Sequence, residues 1–266
     1  MSAVVYPESE EELVNVVKLL SLNDLPYIVV GKMANILFKD QVYDGIVVKS
    51  DKIAKYTVAE NRICASCGAS VGKLIREMSK RDLGGMEGLC GIPGTVGGML
   101  RQNAGAFGYE ISDTFIEAVC YDPQAKAVRV MSRSDMSFAY RDCILSKEKL
   151  IILNATFELV QKKQSQILDE IRMYREKRIQ SQPYEFPSLG SVFKRYNGTS
   201  AAYYIDRAGL KGFSIGGACV STKHAGFIVN TGGATAFDYL RLIDHIKTKV
   251  NMLFGIELEE EIEIVQ

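Results

Sequence analysis

Gly84-Gly-Met-Glu-Gly-Leu-Cys-Gly-Ile-Pro-Gly-Thr-Val-Gly-Gly-Met-Leu-Arg-Gln-Asn-Ala-Gly-Ala-Phe-Gly108 is the most unusual run of the chain. Glycine recurs throughout it, yet it is neither repetitive nor polar, so it is no flexible linker. In the part formed by Gly91, Ile92, Pro93, Gly94, Thr95, Val96, Gly97 and Gly98, glycines permit positive φ. They also let backbone N–H groups approach a bulky anion with no side chain in the way. Met99-Leu100 is expected to begin a helix, whose positive N-terminus would add to phosphate attraction. No Gly-Lys-Ser/Thr follows, and GxGxxG is absent, so neither the Walker loop nor the dinucleotide fingerprint applies. A tight multi-turn connection with no ligand is the competing reading. Asn103-Ala104-Gly105-Ala-Phe-Gly108 continues the theme. Its small residues would let a flat ring system pack against backbone, with Asn103 as a hydrogen-bond handle.

Around this run the chain alternates strands and helices. Ser9-Glu-Glu-Glu12 is a capping box, and Leu13, Val16, Val17 and Leu20 follow at helical spacing. Strands are expected at 27–31, 45–49 and within 55–66, then a helix after Ser70 carrying Val71, Leu74, Ile75 and Met78. Further strands are expected at 115–122, 127–132 and 150–160. A helix over 164–181, with Ile167, Leu168, Ile171 and Tyr174 inward, bridges into a second part. That part carries a strand at 191–196, a helix at 201–208 and a strand at 226–229. A long helix from 235 to 254 follows, with Phe237, Leu240, Ile243, Ile246 and Val250 on one side and Gly255 at its end. A last strand is expected from Ile256 to Val265. The fold class is α+β in two parts, 1–160 and 161–266.

Composition excludes several classes. Lys+Arg and Asp+Glu are both 32, so bulk charge does not favour nucleic acid or anionic lipid. Two histidines rule out a three-histidine zinc site, and Cys64-Ala-Ser-Cys67 lacks a second close pair, so no metal is expected. The six cysteines read as reduced thiols, and the Cys64/Cys67 pair as core thiols. No apolar run is long enough to span a bilayer and no secretory signal is visible, which implies a cytoplasmic location without membrane contact.

Three segments carry candidate chemistry. Tyr140-Arg141-Asp142 is either a surface pair or a guanidinium held in a cleft to grip a carboxylate. Ser191, after the Pro187-Ser-Leu-Gly turn, either satisfies the turn or acts as an exposed proton donor. It is no hydrolase nucleophile, because Gly-x-Ser-x-Gly is absent. His224 is expected to order its own loop. In the last segment Ile256, Leu258, Ile262 and Ile264 share one face, and Glu257, Glu259, Glu261 and Glu263 the other. Glu260 falls on the apolar side, so parity alone flags it.

Taken together, the 88–98 run, Asn103–Gly108, Tyr140–Asp142, Pro187–Lys194, Ile215–Asn230 and Phe254–Ile262 resemble one family in order and along essentially the whole chain. That family is the bacterial UDP-N-acetylenolpyruvoylglucosamine reductases, flavoenzymes of peptidoglycan precursor synthesis. The short spacing from Tyr140 to Ser191 is similar to the form lacking an extra tyrosine-bearing loop over the substrate. The resemblance implies an FAD-binding PCMH-type domain of two small α+β subdomains over 1–160, and a carboxy-terminal α+β substrate domain over 161–266. It implies FAD and NADPH as cofactors, a small-molecule substrate, and a monomer or weak oligomer. By the same resemblance, NADPH would reduce FAD, and a hydride would then reduce UDP-N-acetylglucosamine enolpyruvate to UDP-N-acetylmuramate.

The resemblance also implies roles for single residues. Ser191 protonates the carbanion, Arg141 binds the substrate carboxylate, and a protonated Glu261 assists there. The family usually has proline at the Glu260 position, so the match selects Glu261 against the parity argument. Tyr140, Arg141 and Lys194 would bind substrate. Gly31, Lys32, Met33, Ala34 and Asn35, Gly91 to Thr95, Gly97, Gly98 and Asn103 to Gly105 would hold the flavin. Where the family reads Gly-x-Gly-Ser-Asn, this chain has Gly31-Lys-Met-Ala-Asn35. Met33 in a left-handed conformation costs about 1–2 kcal/mol, and loss of a serine hydroxyl at Ala34 costs about 1 kcal/mol. Lys32 offers a compensating phosphate partner. The family's first strand, with its own Gly-Gly turn, is expected to be missing. A non-catalytic relative that binds the UDP-sugar or a nucleotide without stable FAD is the alternative.

Overall fold

The structure, a computed structural model, describes residues 3–266. It divides into two compact units, the first formed by 1–32 and 44–175 and the second by 33–43 and 176–266. The contiguous division at 160 differs from this in two places. The segment 33–43 groups with the carboxy-terminal residues, because Ile36–Phe38 pairs in parallel with Glu263–Val265. The other boundary falls inside a helix, Gln164–Ser181.

In the first unit, helix α1 (Glu10–Leu22) starts where Ser9 Oγ accepts the Glu12 N–H at 3.1 Å. The acidic half of the expected capping box reaches one residue further out, since Glu12 Oε2 accepts from the Glu8 N–H at 2.8 Å. Leu13, Val17 and Leu20 are buried along one stripe of α1. A parallel sheet sets Ile46–Lys49 between Ala3–Val5 and Tyr27–Val30. A second, antiparallel sheet runs in the order Ala127–Ser132, Phe115–Asp122, Ile151–Glu158, Arg62–Ser66, Tyr56–Ala59. Helices α2 (Val71–Ser79), α3 (Val96–Arg101) and the short α4 (Arg133–Met136) complete this unit, and α5 (Gln164–Ser181) leads out of it. One apolar cluster, including Val17, Ile63, Leu100, Phe115 and Phe157, fills its interior. Cys67 belongs to that cluster, and burial pushes its thiol up to about 12. On α5, Ile167 is fully buried but Leu168 is exposed, so the inward stripe is narrower than its apolar residues suggest.

In the second unit a four-stranded antiparallel sheet has the order Ser188–Ser191, Phe227–Asn230, Ala218–Val220, Ser214–Ile215. Helix α6 (Ala201–Arg207) and the long helix α7 (Ala236–Phe254) also belong to it, with a core that includes Val192, Ile205, Leu242, Ile246 and Val250. Helix α7 has both of its expected ends. Thr235 and Asp238 form a reciprocal capping box, and Gly255 closes the helix at φ 67°. Its buried stripe is Ala236, Tyr239, Leu242, Ile243, Ile246 and Val250. Phe237, expected inward, is 62% exposed beneath the Arg241 guanidinium.

The last segment is less regular than its alternation implies. Only Glu263–Val265 is a strand, while the preceding residues make a single antiparallel bridge, Phe193 opposite Glu260. Ile256, Leu258 and Ile262 are buried as the pattern requires, but Ile264 is exposed and Val265 buried. The strand expected at 191–196 lies earlier, at Ser188–Ser191, and contains a register shift with Gly190 at φ 79°.

Candidate active site

Strand Tyr27–Val30 delivers Gly31 against the glycine run. A Cβ on Gly31 would lie 2.3 Å from Thr95 Oγ1, so this approach requires glycine. Thr95 is itself buried and caps α3, its hydroxyl accepting from the Gly98 N–H at 3.3 Å. The helix therefore begins at Val96, earlier than the expected Met99. Its first N–H groups are all engaged within the protein, Val96 donating to Ala69 O at 2.9 Å and Gly97 to Cys67 O at 2.8 Å. The expected attraction of phosphate to this helix end is thereby removed, because no N–H of that turn is left to point at an anion. Close packing is what the glycines serve here, as a Cβ on Gly97 would stand 3.2 Å from Cys67 Cβ.

What does present donors is the neighbouring edge. Lys32 Nζ donates to Ser70 Oγ at 3.3 Å, and Ser70 bridges to Thr95. Ser70 has no capping bond of its own to α2. Its sequence position reads as a cap, and nothing local signals the pairing with Lys32. Gly91 and Pro93 are exposed, and Ile92 and Gly94 are half-buried. The chain then enters the second unit. Met33 has φ 54°, the left-handed region that glycine occupies without cost. Ala34 is half-buried. Asn35 turns its carboxamide to the protein, donating from Nδ2 to the backbone carbonyl of Glu261 at 2.9 Å.

Asn103, Ala104 and Gly105 follow α3. Asn103 is buried in a left-handed conformation, φ 40°. Its Nδ2 donates to Glu110 Oε2 at 2.8 Å and to Ala139 O at 3.0 Å, and its Oδ1 accepts from Ser112 N at 3.3 Å. Arg141 donates from Nη2 to Gly105 O at 2.7 Å and from Nη1 to Asn103 O at 3.4 Å. Its guanidinium also lies over the ring of Tyr140, 5.0 Å from the centroid. Beside it, the Ser146 hydroxyl and the Lys147 ammonium hold the Asp142 carboxyl below the usual range.

The second unit supplies the other candidates. Ser191, half-buried after the Gly190 turn, donates from Oγ to Phe193 O at 3.3 Å. The segment after it runs beside the last residues of the chain, Glu261 N donating to Val192 O at 2.7 Å and Lys194 N to Glu259 O at 2.9 Å. Lys194 Nζ is paired with Glu259 Oε1 at 2.6 Å, and Lys247 Nζ with Glu260 Oε1 at 2.8 Å. Ser191, Lys194, Asn35 and Glu261 are thus tied together by strand pairing. His224 orders its own loop as expected, its Nδ1 accepting from Gly226 N at 3.1 Å, and burial lowers its pKa. Among the described residues no group of three or more His, Cys, Asp or Glu side chains is arranged to hold a metal ion. Among them, too, no helix is long and apolar enough to cross a membrane.

The amino-terminal half matches the FAD binding domain family over residues 1–131, and residues 182–265 match the carboxy-terminal domain of UDP-N-acetylenolpyruvoylglucosamine reductase. The class is therefore an FAD-binding α+β protein with an added carboxy-terminal domain. A UDP-N-acetylenolpyruvoylglucosamine reductase from Caldicellulosiruptor saccharolyticus is 39% identical over 264 residues, covering 98% of this chain and 85% of that one. One from Clostridium perfringens strain SM101 is 38% identical over 262 residues, covering 98% and 86%. The crystal structure of the UDP-N-acetylenolpyruvylglucosamine reductase (MurB) from Thermus caldophilus superposes with a TM-score of 0.85 at 29% identity, covering 99% and 92%. This chain belongs to the UDP-N-acetylenolpyruvoylglucosamine reductase family.

The residues of the first unit fit the group that such a domain binds. The exposed Lys32 ammonium and the half-buried Ser70 hydroxyl that accepts from it lie beside the closely packed Gly31 and Thr95. That donor set suits the charge of a pyrophosphate.

Proposed function

We propose that the protein is a cytoplasmic, NADPH-dependent flavoenzyme that reduces UDP-N-acetylglucosamine enolpyruvate to UDP-N-acetylmuramate. One observation supports this reading above others. Glu261 donates its backbone N–H to Val192 O, so the Ser191 hydroxyl and the Glu261 carboxyl rise from neighbouring positions of one pairing. Lys32 and Ser70, with the exposed to half-buried Gly91 to Gly94 and Ala104-Gly105, would hold FAD in the amino-terminal part, and the carboxy-terminal part would take the sugar nucleotide. Bound there and reduced by NADPH, FAD would be the source of the hydride for the methylene carbon of the enolpyruvyl ether.

The chain's own residues manage the charge that follows. Arg141 grips the substrate carboxylate, and its two carbonyl anchors fix the guanidinium before substrate arrives. Tyr140 and Lys194 bind the rest of the anion. The carbon beside the carboxylate becomes a strong base. A serine hydroxyl is a poor acid in water but adequate toward such a carbanion held close by, so Ser191 delivers the proton. Glu261 bonds to the same carboxylate and must carry a proton to do so without repulsion, which desolvation around bound substrate favours.

The test is a comparison of half-reactions. Ser191→Ala should retain NADPH-driven bleaching of the flavin and lose turnover of the enolpyruvyl sugar. Turnover that survives the change removes Ser191 from the role. Wild-type protein that stays colourless, refuses added FAD and still binds the UDP-sugar would establish the non-catalytic alternative.

A further inference from the structure

Every polar atom of the Asn103 carboxamide is engaged by protein: Nδ2 by Glu110 and Ala139, Oδ1 by Ser112. The residue is 1% exposed. A carboxamide offers two N–H donors, and both are spent on protein oxygens, so no donor is left over as a cofactor handle. One carboxamide bond and the residue's own backbone carbonyl lead instead to Arg141. Ala139 O, which accepts from Nδ2, begins the tight turn that carries Tyr140 and Arg141. That turn is closed by Ala139 N to Asp142 O at 2.9 Å and Asp142 N to Ala139 O at 3.2 Å. The backbone carbonyl of Asn103 also accepts from the Arg141 guanidinium. Arg141 sits at φ 53°, so its backbone has no regular structure to hold it and depends on such bonds.

We infer that Asn103, braced by Glu110, is a positioning residue for Arg141 and not a cofactor contact. The inference rests on the reading of Arg141 as the group that grips the substrate carboxylate. Asparagine suits the position twice over, because it tolerates left-handed backbone and supplies both donors. Aspartate keeps the first property and loses the second, while setting a carboxylate against that of Glu110.

The experiment uses full-length protein and two ligands, the enolpyruvyl UDP-sugar and the same UDP-sugar without its carboxylate. Calorimetry on the wild type should show a clear preference for the carboxylate-bearing ligand. Absence of that preference overturns the reading of Arg141 itself. Asn103→Asp should reduce the preference by about tenfold, the effect of one lost charge-assisted bond. FAD affinity, the rate of flavin reduction by NADPH and affinity for the carboxylate-free sugar should stay near wild type. Glu110→Ala, which leaves the carboxamide its Ala139 and Ser112 bonds, should act in the same direction by about threefold and serves if Asn103→Asp does not fold. In turnover the KM for the enolpyruvyl sugar should rise while that for NADPH does not. A preference left intact, or weakened FAD binding with an unchanged preference, overturns the inference.

Discussion

Asn35 Nδ2 donates to the backbone carbonyl of Glu261 at 2.9 Å, joining residues 226 positions apart in the chain. The next rung, Glu263 N to Asn35 O at 2.9 Å, continues the contact into the parallel pair of Ile36–Phe38 and Glu263–Val265. Glu261 is therefore fixed on two sides, by Asn35 through its carbonyl and by Val192 through its N–H. Removing the carboxamide in Asn35→Ala deletes one hydrogen bond and should destabilise by about 1 kcal/mol. Because the bond supports Glu261, turnover of the enolpyruvyl sugar should fall more than FAD affinity does. Stopped-flow half-reactions together with a flavin fluorescence titration would check this, and a loss confined to FAD affinity would contradict it.

The segment just before Asn35 gives two changes of opposite sign. Gly31→Ala pushes a Cβ to within 2.3 Å of Thr95 Oγ1 inside a packed contact. Such overpacking should cost about 1–3 kcal/mol. Met33→Gly, at φ 54°, removes left-handed strain, offset in part by the greater freedom of glycine in the unfolded chain. The net expected gain is about 0.5–1 kcal/mol. Urea midpoints should move down for the first and up for the second; movement in the same direction would refute the account of this loop.

These residues also show where sequence was legible. Helices α1 and α7 could be read because a helix writes its own period and caps locally: Ser9, Thr235 and Gly255 stand next to what they cap. The two-part α+β organisation followed from the same local signals. The partners of Asn35 and Asn103 could not be read. Each asparagine was recognisable beside glycines, but its carboxamide is assigned by Glu261, or by Glu110 and Ala139, at distances no local period encodes. The closing segment misled for the same reason. Its alternation reports burial correctly at Ile256, Leu258 and Ile262, yet strand pairing depends on Ile36–Phe38 and reaches only Glu263–Val265.

Acid should loosen the amino-terminal end of α7. The backbone N–H and hydroxyl of Thr235 hold the Asp238 carboxyl below its ordinary value of 3.8. A carboxyl with a depressed folded pKa adds stability above the unfolded value, and that stability disappears as pH falls through the folded one. Asp238→Asn keeps a polar cap but no charge. Its deficit relative to wild type should thus be constant from neutral pH down to about 4 and shrink below it. Urea unfolding across that range measures it; a deficit that persists unchanged at pH 3 would assign the cap's contribution to something other than the carboxylate.

Glu260 and Glu261 compete for one role, and their surroundings separate them. Glu260 lies opposite Phe193, and its carboxylate is bound to Lys247 at 2.8 Å, in a pair with side chains 37% and 26% exposed. A half-exposed pair of this kind contributes about 0–1 kcal/mol, so Glu260→Gln should cost little stability. With its charge already answered by Lys247, it should also leave turnover within about twofold of wild type. Glu261 is held by its backbone on both sides, which is what a side chain needs if it is to meet substrate in one orientation. Glu261→Gln keeps the shape and a donor but cannot exchange a proton. It should therefore lower kcat for the enolpyruvyl sugar by about tenfold or more while NADPH-driven flavin reduction continues. If Glu260→Gln shows the large loss instead, the parity of the closing segment was the better guide and the carboxyl at the substrate is Glu260.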